Sequence, residues 1–562
     1  MKKEWKYYEA DKQKVEEIKE KYNINEILAT VLVNRGILDE EEIRVFLEPT
    51  RNDFRNPFDM PDMEKAVERI MKAIDEKEKV IVYGDYDVDG ITSITVLKRF
   101  LAERNLNIDT YIPNRLEEGY GLNKKAIEKI AQKRYTLMIT VDCGISGIEE
   151  IDYANSLGID VVITDHHEPA EKLPNAVAIV DCKRKDNKYG FRELAGVGVV
   201  FKLIQALSIE MGLEEKKYLK YLDIVCLGTI SDIVPLIDEN RVIAKLGLKL
   251  TQMTNNLGLK SVINSSGYNQ IDSNTISFGV APRINACGRM GHQDEALQVF
   301  LSNDKNEVIE LTHKLNEYNK ERQDTEKNIE KEVIEQIRKN NLENANSIVL
   351  GSDNWHHGVI GIVASKITDM YYKPCILICF EDEKGKGSGR SIPGFDLHEA
   401  LSKCTDTIDK YGGHAMAIGI NVNKEKFEDF RKEFEDVVSQ SDINELAPII
   451  EIDKQIELDD ISMNIIKSLD LLKPFGEGNR IPLFSIKNVR IDSIRTLSEG
   501  KHLKLTLKSK NNFVDAIGFN LGHFSNDLLI GDKINIVGAL EINSFNGCDR
   551  VQINLKDIMK SL

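Results

Sequence analysis

The sequence lacks the features of secreted and membrane-spanning proteins. Its eight cysteines include no CxxC pair and no regular spacing, which argues against a disulfide framework and against a structural zinc site. No apolar run reaches the roughly 20 residues of a membrane-spanning helix, and the opening MKKEWKYYEADKQK has no apolar core of a signal peptide. We therefore expect a cytoplasmic protein with reduced thiols and no membrane segment, in which Cys375 and Cys379 fill an apolar core.

The sequence also lacks an excess of positive charge. Its formal net charge is −17, with 75 Lys and Arg against 92 Asp and Glu. This balance argues against a protein that coats nucleic acid along its whole surface. It does not exclude a nucleic-acid enzyme, because acidic clusters bind metal cations and a basic surface can be local. Residues 481–562 are such a local exception, with eleven Lys and Arg against eight Asp and Glu.

The length of 562 residues allows three or four domains, each with its own core. After a polar, helical start, short apolar runs alternate with helical stretches, which predicts βαβ units in a doubly wound parallel sheet. A long segment without Gly or Pro then predicts a helix that joins two lobes. The last part alternates polar and apolar residues between Gly and Asn turns, as small β-barrels do. The predicted parts are a helical segment, a catalytic domain, a connecting helix, a second α/β domain and a β-barrel, at 1–70, 71–304, 305–340, 341–445 and 446–562.

The segment VIVYGDYDVDGITS places Asp85, Asp87 and Asp89 at alternate positions. Its first half fits the calcium-loop pattern D-x-[DN]-x-[DN]-G of EF-hands. That loop needs a glutamate at its twelfth position, which here is Val96, and it needs a preceding helix, whereas KVIVYG is typical of a buried strand. The EF-hand interpretation fails on both points, which leaves three carboxylates at the end of a strand.

Similar groups follow other predicted strands. Asp142 ends LMITVDCG, Asp165, His166 and His167 end VVITDHH, and Asp232 lies in GTISDIVPL after a helical stretch. A single such aspartate is usually a helix cap, and a histidine pair is usually a surface feature. In open parallel sheets, however, the carboxyl ends of strands line one crevice, so these groups can converge there.

Three carboxylates within five residues repel one another unless a cation neutralises them. Carboxylates with imidazole and no thiolate suit Mn²⁺ or Mg²⁺ better than structural zinc. The candidate ligands exceed what one ion needs, and two ions about 3.5–4 Å apart would use them all. This arrangement predicts phosphoester hydrolysis.

The motifs GDYDVDGITS, VDCG, DHH and SDIVPL, in that order, resemble those of the DHH phosphoesterase superfamily. GSGRS and YGGHAMAIG resemble the DHHA1 substrate-binding domain. The terminal barrel, with IPNRLEEGYGL and RINACGRM, is similar to that of the members that degrade single-stranded DNA. The resemblance covers almost the whole chain. It implies a DHH parallel-sheet catalytic domain, a long connecting helix, a DHHA1 α/β domain and a C-terminal OB-fold β-barrel.

The resemblance implies a two-metal-dependent 5′→3′ exonuclease that degrades single-stranded DNA to nucleoside 5′-monophosphates in DNA repair and recombination. Its implied ligands for two Mn²⁺ or Mg²⁺ ions are Asp87, Asp89, Asp142, His166 and Asp232, with Asp142 as the bridge. His167 is expected just outside the ligand set, where it orients a ligand or contacts the scissile phosphate. Asp85 is expected either as a further ligand or as a neighbour of one, because Tyr83 stands where many members have a histidine.

The resemblance also assigns residues to the DNA strand. A pocket for a 5′-phosphate is expected to contain Arg115, Arg289, Ser388 and Arg390. Further contacts to the strand are expected from Gly412, Gly413 and His414, which approach the backbone, and from Tyr120, which stacks on a base. A basic hairpin of the barrel, with Lys501, Lys504, Lys508 and Lys510, is expected to track the strand. Trp355, His356 and His357 are interpreted as structural or as flanking the substrate.

Two other functions are compatible with parts of this pattern. Some superfamily hydrolases act on very short oligonucleotides, cyclic dinucleotides or pyrophosphate, but these have no need of a terminal barrel. A metal-free DNA-binding scaffold of the same fold is the other alternative, although such relatives tend to lose the carboxylates that are present here. The expected partners are single-stranded DNA, a single-strand-binding protein and a helicase, and the expected state is a monomer.

Overall fold

The computed structural model describes residues 3–115, 118–119, 121–510, 512–545 and 548–561. The helices are α1 (Lys12–Tyr22), α2 (Glu26–Asn34), α3 (Glu40–Leu47), α4 (Met63–Asp75), α5 (Val88–Ala102), α6 (Lys124–Gln132), α7 (Ile148–Ser156), α8 (Gly196–Glu210), α9 (Lys216–Leu219), α10 (Leu222–Ser231), α11 (Asp238–Thr251), α12 (Leu257–Ser265), α13 (Ala281–Met290), α14 (Gln293–Leu301), α15 (Lys305–Lys339), α16 (His357–Tyr371), α17 (Leu397–Ser402), α18 (Phe427–Ser439) and α19 (Met463–Leu469).

The strands are β1 (Glu4–Tyr7), β2 (Lys79–Gly84), β3 (Asn107–Tyr111), β4 (Leu137–Val141), β5 (Asp160–Asp165), β6 (Ala178–Asp181), β7 (Ile348–Ser352), β8 (Cys375–Glu381), β9 (Lys384–Arg390), β10 (Lys410–His414), β11 (Ala417–Asn423), β12 (Ile449–Ile452), β13 (Lys454–Gln455), β14 (Phe484–Leu497), β15 (His502–Lys508), β16 (Phe513–Gly518), β17 (Lys533–Phe545) and β18 (Cys548–Lys560).

The chain forms two compact units. The first comprises residues 55–234 and 246–447, and the second comprises residues 1–54, 235–245 and 448–562. The five-part division made from the sequence stays a prediction. No helix in the described ranges is both long enough and apolar enough to cross a membrane.

A parallel five-stranded sheet organises the first unit, in the order β3-β2-β4-β5-β6. Val82 pairs with Ile139, and Ile139 pairs with Val162, so apolar runs lie side by side at the centre. Helices cover both faces, which explains why these strands are continuously apolar rather than alternating. The predicted doubly wound sheet is confirmed.

A second, mixed sheet lies in the same unit, in the order β10-β11-β9-β8-β7. Strand β7 pairs with β8 in parallel, whereas the pairs β8–β9, β9–β11 and β11–β10 are antiparallel. Val333 and Ile337 of the long helix α15 pack into the same core as Cys375 and Cys379, which are both buried. The predicted long helix and the core position of these cysteines are confirmed.

A closed barrel dominates the second unit. Strands β14, β15, β16, β18 and β17 pair in that order, and β14 pairs with β17 to close the ring. Leu503, Leu505 and Leu507 of β15 point into its core, while the residues between them face outward. The predicted OB-type barrel is confirmed. The alternating sequence predicted it because each barrel strand has one buried face.

The expectation that the first 70 residues are helical is wrong at Glu4–Tyr7. These residues form β1, which pairs in parallel with β12, so that Trp5 lies opposite Ile450. The pairing partner is more than 400 residues away in the sequence, and a four-residue strand carries no periodicity of its own. Local pattern therefore could not reveal it.

Candidate active site

The predicted ligand residues converge at the carboxyl edge of the parallel sheet. His166 follows β5, and its Nε2 lies 3.2 Å from Oδ1 of Asp142, which follows β4. The same nitrogen lies 3.8 Å from Oδ2 of Asp89 and 3.7 Å from Oδ2 of Asp232. Four segments that are distant in sequence thus place their polar side chains around one point, as expected of an open parallel sheet.

Three overlapping groups of side chains at this point have the spacing of metal ligands. The donor atoms of each group lie within 4.8 Å of one another. Asp142 and His166 each belong to two of the groups. The groups are Asp85, Asp87 and Asp142; Asp142, His166 and His167; and Asp89, His166 and Asp232.

Helix N-termini hold two of the carboxylates in place. Asp87 caps α5 and accepts the N–H of Gly90 at 3.0 Å. Asp89 accepts the first N–H groups of α8, from Gly196 at 2.6 Å and from Val197 at 2.8 Å. Since a Cβ on Gly90 would overlap the carbonyl oxygen of Asp85, glycine is required there. These contacts fix the carboxylates before any ligand binds.

Asp165 has a task that sequence reasoning missed. Its Oδ1 accepts the N–H groups of His166 and His167, at 2.7 and 3.2 Å, and it also accepts Nδ1–H of His167 at 2.7 Å. Its Oδ2 accepts the N–H of Ile145 at 2.9 Å. The carboxylate is thereby occupied with orienting the two histidines. The position of an aspartate directly before a histidine pair was the available signal, but it does not reveal where the side chain points.

The carboxylates are buried with little compensating charge. Burial, together with the charge of Asp87, raises the pKa of Asp89 to about 7. Burial and the charge of Asp89 raise the pKa of Asp232 to about 9 and that of Asp142 well above its usual range. Burial opposes a charge on His167, but the hydrogen bond to Asp165 and the negative charges of Asp165, Asp232 and Asp89 together outweigh burial and raise the pKa of His167 to about 9. The cluster therefore favours positive charge in its centre.

The donor set fits hard divalent cations. Its atoms are carboxylate oxygens and imidazole nitrogens, and Oδ1 of the buried Asp85 has no hydrogen-bond partner among the described residues. The nearby thiol of Cys143 instead lies 3.9 Å from the carbonyl oxygen of Tyr83. Oxygen and imidazole ligands without thiolate suit Mn²⁺ and Mg²⁺. An uncoordinated buried carboxylate oxygen is costly unless a cation or a proton neutralises it.

Three arginines, Arg115, Arg289 and Arg390, form a positively charged cluster next to the carboxylates. The guanidinium of Arg115 lies 5.0 Å from the ring centre of Tyr86, the residue between Asp85 and Asp87. Arg289 donates to the carbonyl oxygen of Gly358 at 3.1 Å. Burial lowers the pKa of Arg289 to about 10, and the neighbouring charge of Arg115 adds to this effect.

Ser388 and Arg390 lie on the same face of β9. Nη1 of Arg390 donates to Oγ of Ser388 at 2.9 Å. A Cβ on Gly361 of α16 would lie 3.0 Å from this Oγ and 3.1 Å from Nη2 of Arg390, so the helix approaches both groups closely. Burial and the charge of Arg115 lower the pKa of Arg390. Within the described ranges, no carboxylate forms an ion pair with Arg289 or Arg390.

The other predicted substrate contacts are placed less closely. Gly412, Gly413 and His414 lie on the exposed edge strand β10, where backbone groups on the outer side are unpaired by other described strands. Tyr120 lies outside the described residues. His356 caps α16 through Nδ1, which accepts the N–H of Gly358 at 3.1 Å. Trp355 donates to Glu332 at 3.0 Å, which is a structural contact.

Three family models match the chain in the order of its sheets and barrel. They are the DHH family N-terminal domain over residues 79–229, the DHHA1 domain over residues 344–440 and the RecJ OB domain over residues 452–557. The single-stranded-DNA-specific exonuclease RecJ of Bacillus subtilis is 40% identical over 559 residues, covering 98% of this chain and 70% of that protein. The chain belongs to the RecJ family.

Other RecJ proteins agree with this assignment. RecJ of Escherichia coli is 30% identical, with 95% of each chain covered. The crystal structure of Thermus thermophilus RecJ in complex with Mn²⁺ superposes with a TM-score of 0.87 at 28% identity, covering 100% of this chain and 80% of that one. The Mg²⁺ complex of the same RecJ superposes with a TM-score of 0.80 at 26% identity, covering 100% and 79%. The predicted fold and the predicted family are confirmed.

Proposed function

We propose that the chain is a metal-dependent exonuclease that degrades single-stranded DNA from its 5′ end and releases nucleoside 5′-monophosphates. The observation that carries this proposal is the convergence of Asp89, Asp142, His166 and Asp232 at one sheet edge. Membership of the RecJ family supports the substrate and the reaction. Mn²⁺ or Mg²⁺ is the cofactor, because both occur in the superposed RecJ structures and the donor set suits either ion.

The overlap of the three groups supports the ligand roles that we propose. Asp142 belongs to the group of Asp85 and Asp87, and its Oδ1 lies 3.2 Å from Nε2 of His166, which belongs to the group of Asp89 and Asp232. This central position supports Asp142 as a ligand shared by two ions. Asp87 and Asp85 complete the group on one side, and Asp89 and Asp232 complete the group on the other. A pair of divalent cations, when bound, supplies Lewis acidity to the phosphoryl oxygens and to the attacking water.

His167 is the residue that we assign to the scissile phosphate. Its Nδ1 donates to Asp165, which orients the imidazole ring. We assign Nε2 as the donor to a phosphoryl oxygen or to the leaving group. Water adds to phosphorus, the bond to the 3′ oxygen breaks, and that oxygen leaves with a proton. The products are one nucleoside 5′-monophosphate and a strand that is shorter by one nucleotide and begins with a new 5′-phosphate.

The arginine cluster supports the 5′ polarity. A terminal phosphate carries extra negative charge and several acceptor oxygens, which a group of arginine donors fits. Arg115, Arg289 and Arg390 lack carboxylate partners in the described chain, and Tyr86 links Arg115 to the carboxylate cluster. A phosphate bound there holds the end of the strand close to the metal ligands. Gly412, Gly413 and His414 are proposed contacts to the same strand.

We further propose where the enzyme acts and with which partners. DNA lies in the cytoplasm of bacteria, the organisms of the matched RecJ proteins, and single strands arise when a helicase unwinds a duplex. A helicase and a single-strand-binding protein are therefore the proposed partners. The monomer is the proposed state, because the proposed site uses residues of one unit of one chain.

Digestion of strands labelled at either end tests the function. With Mn²⁺ or Mg²⁺, we expect mononucleotides to appear first from the 5′ label of single strands, and we expect none after chelation or from blunt duplexes. Early release of the 3′ label, or internal fragments, would contradict the proposal. Activity confined to dinucleotides would instead favour the hydrolases of very short substrates, although the barrel argues against them.

A further inference from the structure

The residue after Asp232 has a strained backbone. Ile233 follows the end of α10 with φ of +60°, in the left-handed region. Branching at Cβ makes this region especially unfavourable, because the side chain crowds the neighbouring backbone. Of the non-glycine residues with positive φ in the described chain, Ile233 alone is β-branched. Most of the others are Asn or Asp, which tolerate this conformation.

The side chain of Ile233 contributes little to folding. It is 70% exposed, whereas Ile230 and Leu236 on either side are buried. Burial of apolar surface is what an isoleucine normally adds to stability, and little of this surface is buried. Glycine or asparagine would suit the backbone better. The fold alone therefore does not explain isoleucine at this position, and strain of this kind tends to occur at functional sites.

Ile233 directly follows Asp232, one of the two cluster residues whose side chains are the more open to solvent. The side chains of Asp89 and Asp142 are 1% and 3% exposed, but those of Asp232 and His167 are 23% and 46% exposed. The cluster is thus closed around Asp89 and Asp142 and open beside Asp232 and His167. From this open side a strand would reach Asp232, whose neighbour in the chain is the exposed Ile233.

We propose that Ile233 is a substrate-contacting residue, whose side chain packs against the nucleoside next to the scissile phosphate. This inference rests on the proposed function. An aliphatic side chain offers nothing to phosphate oxygens, but it matches the apolar surface of a base or a deoxyribose. Because every base has such a face, the contact is independent of sequence. The charged ligands position the phosphate, and Ile233 positions the nucleoside beside it.

Three variants separate this role from a structural one. Ile233→Asn fits the backbone and removes the apolar contact, while Ile233→Leu keeps an apolar side chain. Met253→Asn is the matched control, because Met253 lies in a turn and is 69% exposed. Each is assayed for kcat and KM on a 5′-phosphorylated single strand with Mn²⁺ and for its melting temperature.

We expect Ile233→Asn to lower kcat/KM about tenfold, mainly through KM, since one apolar contact of this size is lost. Its melting temperature should equal or exceed that of the wild type. Ile233→Leu should stay within about threefold of the wild type in kcat/KM, and Met253→Asn should not change it. A strand that begins with an abasic residue distinguishes the two contacts: a loss confined to the normal strand assigns the base, and an equal loss on both strands assigns the sugar.

An unchanged kcat/KM in Ile233→Asn would overturn the inference while the proposed function stands. A melting temperature that falls in Ile233→Asn would also overturn it, because the side chain would then serve the fold. If the wild type does not degrade the strand, the proposed function fails and the inference fails with it.

Discussion

Two charged clusters in the first unit differ in sign but share an unusual property. At the carboxyl edge of the parallel sheet, burial raises the pKa of Asp89 to about 7 and that of Asp232 to about 9. In the arginine cluster, burial lowers the pKa of Arg289 to about 10 and also lowers that of Arg390. In both clusters burial disfavours the charged form, and the charge of His167 lowers the pKa values of Asp89 and Asp232 by less than burial raises them.

Structural ion pairs in the same unit behave differently. Arg69 pairs with Glu78 at 2.8 Å, and Arg184 pairs with Asp62 at 2.6 Å, so each buried charge has its partner. Buried charges are normally paired in this way, because an unpaired one is costly. This contrast supports the proposal that both clusters are completed from outside the chain, by cations at the aspartates and by a phosphate at the arginines.

The largest effect is expected at Asp142, the proposed bridge between the two ions. Asp142→Asn should lower the rate of cleavage by roughly a thousandfold, because several kcal/mol of metal-based stabilisation of the transition state is lost. Binding of single-stranded DNA should change only a few-fold, since the arginine cluster is intact. Rates and affinities are measured with Mn²⁺ on the same strand.

The control is Asp160→Asn, at the amino end of the strand that ends in Asp165. It should cleave like the wild type. If Asp142→Asn kept most of its activity, the carboxylate cluster would not be the metal site.

Metal removal should reveal the raised pKa values of the carboxylates. Without metal, the folded protein holds protons on Asp89 and Asp232 that the unfolded chain has released above about pH 4. Stability of the metal-free protein should therefore fall as the pH rises from 5 to 8. Bound Mn²⁺ replaces these protons, so the gain in melting temperature on adding Mn²⁺ should grow over the same range.

Thermal unfolding with excess Mn²⁺ and with chelator, at each pH, measures this gain. In Asp142→Asn the gain should be smaller and should depend less on pH. If the gain in melting temperature on adding Mn²⁺ stayed constant or shrank with rising pH, the proposal that cations replace protons in the carboxylate cluster would be contradicted.

The arginine cluster should discriminate between strand ends. Arg390→Gln should lower kcat/KM on 5′-phosphorylated strands by about 10- to 100-fold, the usual range for one charge-assisted hydrogen bond. On strands with a 5′-hydroxyl, the loss should be only a few-fold. Lys384→Gln, which removes an exposed cation from the same strand β9, is the control and should not discriminate. Equal losses of Arg390→Gln on both ends would argue against a phosphate pocket.

The smallest effect is expected on the barrel. Nζ of Lys508 lies 5.0 Å from the ring centre of Phe513, and no carboxylate of the described chain pairs with it, whereas Lys504 pairs with Asp515 at 3.0 Å. Lys508→Ala should weaken binding of long strands a few-fold. It should also reduce the slope of the logarithm of the binding constant against the logarithm of the salt concentration by about 0.7. Lys504→Ala should do less, because Asp515 already neutralises its charge. Equal effects in binding titrations at several salt concentrations would contradict this ranking.

Periodicity and position within strands made most of the fold predictable. Continuous apolar runs that are followed by acidic residues, such as that of β2, predict a parallel sheet. They also predict the edge of the sheet at which Asp89 lies. The convergence of the candidates that follow β2, β4 and β5 was predictable because strand ends meet at one edge of an open parallel sheet. Asp232, which follows α10, was included because of the family resemblance. The alternation of apolar residues, such as Leu503 and Leu505, with polar residues likewise predicted a barrel strand.

Features that depend on distant parts of the chain could not be predicted. Strand β1 exists only because β12 lies beside it, and Asp165 orients His167 only because β5 ends where it does. The left-handed backbone conformation of Ile233 could not be predicted, because isoleucine is not a residue type that favours this conformation. The pairing of Lys504 with Asp515 across two strands is of the same kind.

Anomalous diffraction from crystals grown with Mn²⁺ tests most directly whether the carboxylate cluster binds a pair of divalent cations. We expect two peaks about 3.5–4 Å apart, with Asp142 between them and with Asp87, Asp89, His166 and Asp232 as the other ligands. Crystals of an active preparation without any peak among these side chains would contradict the account.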